Sequence, residues 1–189
     1  MSDLNPCAVV PAAGKGERFG SPLKILMPID GEPMLGRTVR VLLNGGVEHV
    51  VIVVAPGVDV SPIEVLNDSR VSTITNPDPS RGMFSSIQTG CAGVHGDPVL
   101  VLPADMPFVR SETVAALIAA SRLGTLVSPR YRSRRGHPVA LPGRLRSEIL
   151  EASPTSTLSQ LLERHESDRL DLDVDDPGVL RDVDRKEDL

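Results

Sequence analysis

Cys7-Ala-Val-Val-Pro-Ala-Ala-Gly-Lys-Gly-Glu-Arg-Phe-Gly-Ser-Pro-Leu-Lys24 carries an apolar run straight into a charged, glycine-rich loop. The run from Cys7 to Ala12 reads as a strand buried on both faces, because a parallel strand covered by helices is continuously apolar rather than alternating. Gly14, Gly16 and Gly20 interrupt it, and Lys15, Arg18 and Lys24 place three cations among them. Beyond the loop, Pro33 to Leu43 has helical spacing. Leu35, Val39 and Leu42 share a face, Pro33 suits a first turn, and Gly45-Gly46 ends the pattern. His49-Val-Val-Ile-Val-Val is then a second buried, β-branched strand.

The same alternation continues outward. A short weak helix from Ser61 to Leu66 precedes a strand from Val71 to Thr75. A helix from about Phe84 to Ala92 leads to the strand Pro98-Val-Leu-Val-Leu, and a helix from Ser111 to Ser121, with Ser111 as N-cap, leads to Thr125-Leu-Val-Ser. This order, βαβαβαβαβ, predicts an α/β protein with a mostly parallel sheet and helices on both faces. After Ser128 the rhythm changes. Arg130 to Arg135 reads as a polar loop and Pro138 to Leu141 as a short strand. Helices over 144–151 and 157–165, a strand from Arg169 to Val174 and an acidic tail complete the pattern. With no repeat or boundary legible, residues 1–189 are expected to form a single domain.

Composition narrows the function classes. Aromatics make up only 2% of the chain, which disfavours stacking platforms for single-stranded nucleic acid, and the net charge of −5 disfavours a general polyanion binder. The expected partners are small molecules, with no nucleic acid and no membrane. No apolar run approaches the roughly 20 residues of a membrane span, and the first residues carry no signal-peptide pattern. Two cysteines, Cys7 and Cys91, cannot build a metal cluster alone, so a cytoplasmic protein is the expectation. Seventeen arginines stand against three lysines, two of which lie in the first loop, where a compact point charge suits a phosphate.

Four segments fall beyond the carboxyl ends of the predicted strands, where open parallel sheets bind ligands. In Pro11 to Lys24, small residues let backbone N–H groups approach an anion and the cations offset its charge. The spacing matches neither the Walker loop nor the dinucleotide fingerprint. Asn76-Pro-Asp-Pro-Ser-Arg-Gly-Met-Phe-Ser-Ser-Ile runs into a helix, with Ser85 and Ser86 as either ligand donors or N-caps. Asp105, just past a buried strand, suits either a Mg²⁺ ion on phosphate oxygens or a turn. In Arg134-Arg-Gly-His137-Pro, the lone His before Pro reads as structural rather than catalytic, and the four arginines within six residues read as a solvated loop.

Taken in order, Ala12-Ala-Gly-x-Gly-x-Arg-x-Gly…Lys24, Gly82-Met-x-Ser-Ser, Asp105-x-Pro, Gly136-His-Pro and Asp182-Val-Asp184 resemble the MobA-like nucleotidyltransferases, and most of all the molybdenum cofactor cytidylyltransferase type. The resemblance implies a Rossmann-like three-layer sandwich of the nucleotide-diphospho-sugar transferase type, Mg²⁺ dependence and release of pyrophosphate. It assigns Gly14, Lys15, Gly16 and Arg18 to the triphosphate and Lys24 to the α-phosphate. Ala12 and Ala13 accompany CTP rather than GTP, since guanylyl-transferring relatives carry Gly-Gly there. Gly82, Ser85 and Ser86 line the base and ribose, and His137 sits near the acceptor, molybdopterin. Asp105, Asp182 and Asp184 are the implied metal carboxylates. Three departures stand out. The tail reads Asp182-Val-Asp-Arg-Lys-Glu-Asp188 in place of Asp-Ile-Asp-Thr-Pro-Glu-Asp. Ser153-Pro-Thr-Ser-Thr-Leu-Ser159 replaces a Gly-Ala-Arg segment, and Pro11 replaces the usual Leu. Both the first two touch groups expected to hold metal or acceptor, so a sugar or polyol phosphate acceptor, or a nucleotide-binding protein without catalysis, is also compatible with the sequence.

Overall fold

Residues Cys7–Ala12 form strand β1, and all six are buried. The computed structural model describes residues 5–14, 24–121 and 124–184. Each side of β1 is paired in parallel, with β4 (His49–Val54) on one edge and β6 (Val99–Val101) on the other. Beyond β4 lies β5 (Val71–Thr75), also parallel. Beyond β6 come β9 (Val139–Leu141), β7 (Leu126–Tyr131) and β10 (Arg169–Asp173), with β8 (Arg134–Arg135) hairpinned onto β7. Strand β9 is antiparallel to both neighbours, whereas β10 runs parallel to β7. A separate two-residue pair, β2 (Pro28–Ile29) and β3 (Glu32–Pro33), was not legible in the sequence.

Alternation along the buried strands makes two cores. Ala8, Val10 and Ala12 face Leu35, Val39 and Leu42 of α1 (Met34–Asn44) and Val114 and Leu117 of α3 (Ser111–Ala120). Cys7 and Val9 face Ile87 and Cys91 of α2 (Met83–Gly93), with Leu145 and Ile149 of α4 (Leu145–Glu151) and Leu161 of α5 (Leu158–Arg164). The result is a three-layer α/β sandwich, as the element order predicts. Helix α2 seats closely because Gly90 has no side chain, as a Cβ there would collide with Val9.

Three sequence expectations need correction. The weak helix at Ser61–Leu66 is only a 3₁₀ turn, Glu64–Asn67, with no buried residue to anchor a longer helix. Arg130–Arg135 is not a loop, because β7 continues to Tyr131 and turns through Arg132 and Ser133 into β8. Opposite charges on β10 stabilise this polar strand extension, as described below. Finally, Ser111 is the first helical residue of α3 rather than its cap.

The start of α3 is capped from the far end of the chain. Asp176 is 2% exposed. Its carboxylate accepts from Arg110 N at 2.9 Å, Thr113 Oγ1 at 2.7 Å and Gly178 N at 2.9 Å. A carboxylate at a helix N-terminus satisfies amides that have no partner within the helix. The segment after β10 is thereby held as a docked strap. Gly178 packs directly on the Phe108 backbone. Val183 is buried with Ile29 and Met34, and its amide donates to Asp105 O at 2.9 Å. Arg181 lies 3.7 Å over the Phe108 ring, a cation–π contact that adds to the docking.

Replacing Asp176 by Ala leaves three donors without their carboxylate, at a cost of about 3 kcal/mol, which denaturant unfolding will read; an unchanged midpoint would refute the strap. Burial pushes the Cys7 thiol up to about 11 and the Cys91 thiol up to about 12. Thiolate is the reactive form, so both cysteines are expected to stay unmodified by a thiol reagent at pH 8 until denaturant is added.

Candidate active site

Strand β1 is where the chain reverses its direction of travel across the sheet, stepping first to β4 and later to β6. A crevice opens beyond the carboxyl end at such a point. The segments after β1, β5 and β6 emerge there. Because β9 runs the opposite way, the residues that precede it, including His137, reach the same edge.

Lys24 and two acids from distant elements converge in this crevice. Lys24 Nζ donates to Asp105 Oδ2 at 2.9 Å and to Asp184 Oδ1 at 3.4 Å, with its side chain only 12% exposed. Asp105 follows β6, and its loop is held by Thr38 of α1, whose buried hydroxyl lies 3.1 Å from both Met34 O and Ala104 O. Asp184 is delivered by the docked strap. Asp182, two residues earlier, is exposed and meets neither partner in a hydrogen bond.

No group of three or more His, Cys, Asp or Glu side chains is placed to cage a metal ion among the described residues. Mg²⁺ nonetheless needs only one or two carboxylates when substrate phosphates and water complete its octahedron. Asp105 and Asp184, both turned on one ammonium, fit that donor set. They could hold such an ion together with a triphosphate.

The glycines expected at the site separate by physical cause. Among the described residues a Cβ on Gly14 would meet nothing within 4 Å, so its bareness leaves the backbone open to a ligand there. Gly82 has φ +89, a conformation that side chains disfavour, at the turn into α2. Gly136 is a packing glycine, pressed on Val179 O. Ala12 and Ala13 are buried beside Gly14. Lys15, Gly16 and Arg18 lie outside the described residues.

Ser85 and Ser86 are both 3% exposed and cap nothing, since no side chain caps α2. Asn76 was not singled out in the sequence, yet it organises both. Its Nδ2 donates to Ser85 Oγ at 2.8 Å and to Ser86 Oγ at 3.0 Å, while its Oδ1 accepts from Asp78 N. Ser85 Oγ in turn donates to Gly82 O at 2.8 Å. The Ser85 hydroxyl therefore braces the turn, while Ser86 accepts from Asn76 and donates to no partner among the described residues. A polar residue directly after a predicted strand was the only available signal for Asn76.

His137 is held by its backbone amide on Val179 O at 2.9 Å, and its Nδ1 lies 3.3 Å from Val101 O. Burial lowers its pKa below the ordinary imidazole value; the Val101 carbonyl and the charges of Asp105 and Asp182 oppose this, and Arg169 adds to it. The unfolded imidazole, near 6.5, takes its proton first as pH falls. The stability that His137 contributes is thus complete above about pH 6.5 and lost as pH falls through the folded value. Unfolding free energy should decline less from pH 7 to 5 in His137→Gln than in the wild type; parallel declines would refute the assignment.

Residues 8–170 match the MobA-like NTP transferase domain. Nicotine blue oxidoreductase of Paenarthrobacter nicotinovorans is 31% identical over 100% of this chain and 98% of its own length. A probable molybdenum cofactor guanylyltransferase of Haloferax mediterranei is 27% identical over 89% of this chain and 76% of its own. The bifunctional protein GlmU of Parvibaculum lavamentivorans is 40% identical over 61% of this chain, which spans only 26% of that longer protein. Among solved structures, the 4-diphosphocytidyl-2C-methyl-D-erythritol synthase of Anaerococcus prevotii superposes with a TM-score of 0.76 at 16% identity, covering 97% of this chain and 92% of that one. A manganese complex of Rv0371C from Mycobacterium tuberculosis superposes at 0.73 and 21% identity, covering 97% and 95%. These structures share the fold, and the match across most of the sequence makes this chain a member of the MobA-like NTP transferase family.

Proposed function

We propose that the chain transfers the cytidylyl group of CTP to molybdopterin and releases pyrophosphate. The observation that carries the reading is the meeting of Lys24, Asp105 and Asp184 at the crevice beyond β1 and β6. Ala12 and Ala13 support CTP, because paired alanines accompany cytosine in the type this chain resembles. The Haloferax relative is named for guanylyl transfer, so the base is a point for experiment.

In this reading the open backbone at Gly14, with Lys15, Gly16 and Arg18, receives the triphosphate. Gly82, Ser85 and Ser86 border the base and ribose, with Ser86 as the hydroxyl able to donate. Asp105 and Asp184 would hold Mg²⁺, with Asp182 next to them, and the ion when bound would supply charge neutralisation to the triphosphate. Lys24 is positioned to offset charge on the α-phosphate. An acceptor phosphate oxygen attacks the α-phosphorus as the bond to the β-phosphate oxygen breaks. Positioning and charge stabilisation carry the rate, with His137 on the acceptor side.

Two other readings have specific support. The neighbour named for a diphosphocytidyl methylerythritol product favours a polyol or sugar phosphate acceptor on the same fold. The relative matched from end to end favours redox chemistry, since it is named an oxidoreductase. A protein that binds nucleotide without turnover is a further outcome.

Calorimetry with CTP, GTP and ATP in Mg²⁺ is expected to rank CTP first. Pyrophosphate release should then require molybdopterin, and Lys24→Ala or Asp105→Asn should lower kcat at least about 100-fold. Release with a sugar or polyol phosphate but not molybdopterin overturns the acceptor. Turnover of nicotine blue with no pyrophosphate from any pair overturns transfer altogether, and binding with no turnover leaves an accessory role.

A further inference from the structure

The four arginines between Arg130 and Arg135 have no part in the reading above, yet the fold sorts them into two pairs. Arg130 Nε donates to Asp173 Oδ1 at 2.7 Å, and Arg135 Nε to Asp171 Oδ1 at 2.6 Å. Arg135 also pairs with Glu166 at 2.6 Å. These bonds to β10 and to the turn before it brace the base of the β7–β8 hairpin and neutralise its charge. At the tip, Arg132 and Arg134 are exposed and form no ion pair among the described residues. The Arg132 guanidinium lies 5.2 Å from the centroid of the Tyr131 ring, which orients it and leaves its N–H groups to solvent.

The turn between them is itself costly. Arg132 and Ser133 have φ of 46° and 66°. Two-residue hairpin turns with both positions left-handed favour Asn and Gly, and neither is present. Backbone held in a sparsely populated region points to a local role. A pair of brackets at the base and a strained turn at the tip hold two guanidinium groups outward.

Their place in the fold gives them a partner. Strand β7 reaches the same edge as the crevice, since both it and β6 are antiparallel to β9. From Arg135 the chain passes through Gly136, whose amide donates to Pro129 O, directly to His137. Gly14 and the Asn76–Ser86 turn occupy the β1–β4–β5 half of that edge, whereas the hairpin stands on the β9–β7 half, across Asp105. We propose that the Arg132–Arg134 tip is a second anion-binding site, which grips a phosphate group of the acceptor. Guanidinium forks suit phosphate because several N–H donors match its oxygens in fixed geometry. The acceptor role rests on the nucleotidyl-transfer reading, while anion binding by the hairpin does not.

Titration of inorganic phosphate into ¹⁵N-labelled protein is expected to shift the amides of 131–136 saturably, whereas chloride at matched ionic strength leaves them in place. Arg132→Ala with Arg134→Ala should abolish the shift, and Arg134→Lys should retain part of it. In turnover, the double variant should raise KM for the phosphorylated acceptor about tenfold, equivalent to about 1.4 kcal/mol, with KM for the nucleotide and kcat held. Unmoved hairpin amides, or equal shifts with chloride, overturn the site. Normal acceptor KM in an active double variant overturns the acceptor role. A saturable hairpin response with no nucleotide binding supports the anion site while overturning the transfer reading, so the two failures are distinguishable.

Discussion

The structure depends on the complete enclosure of β1. All six of its residues are buried and pair with β4 on one edge, and Cys7–Val9 pair with β6 on the other. The carboxyl end lies where the strand order reverses, which is where open parallel sheets bind their ligands. A ligand crevice there follows from connectivity before any side chain is considered.

Charge then decides what the crevice can do. Lys24 sits between Asp105 and Asp184, so one cation is shared by two carboxylates in a partly buried place. That arrangement holds the acids close without a metal, and offers them to an ion that brings its own phosphate ligands. The strap that delivers Asp184 is fixed by Asp176, Val183 and Arg181, each on a different partner. Remote anchoring thereby sets the position of a group at the crevice.

Legibility followed the range of the interaction. The expected bounds of β4 match because a buried parallel strand writes its burial into consecutive residues, and those of β5, a partly exposed edge strand, match through its β-branched residues Val71, Thr73, Ile74 and Thr75. Thr157, expected as the first helical residue, is instead the N-cap of α5, in a capping box with Gln160. Where a partner lay far off, the sequence was silent. Ser111 looked like a cap because the actual carboxylate, Asp176, is 63 residues from Thr113. Arg130–Arg135 looked like a loop because the acids that steady it belong to β10. At the site, Gly14, Gly82, Lys24 and Asp105 were visible as residue types, whereas the organising roles of Asn76 and Thr38 were not.

By itself the sequence determined the α/β order, the buried strands and the family, since these rest on periodicity and on motifs within short windows. Tertiary structure alone decided that β9 runs antiparallel and brings His137 to the crevice edge. It alone chose Asp184 over Asp182 as the acid beside Lys24, and divided four arginines into two that brace and two that project. The physical reason is common to all three. Each depends on a partner dozens of residues away, and no local pattern encodes the direction from which that partner arrives.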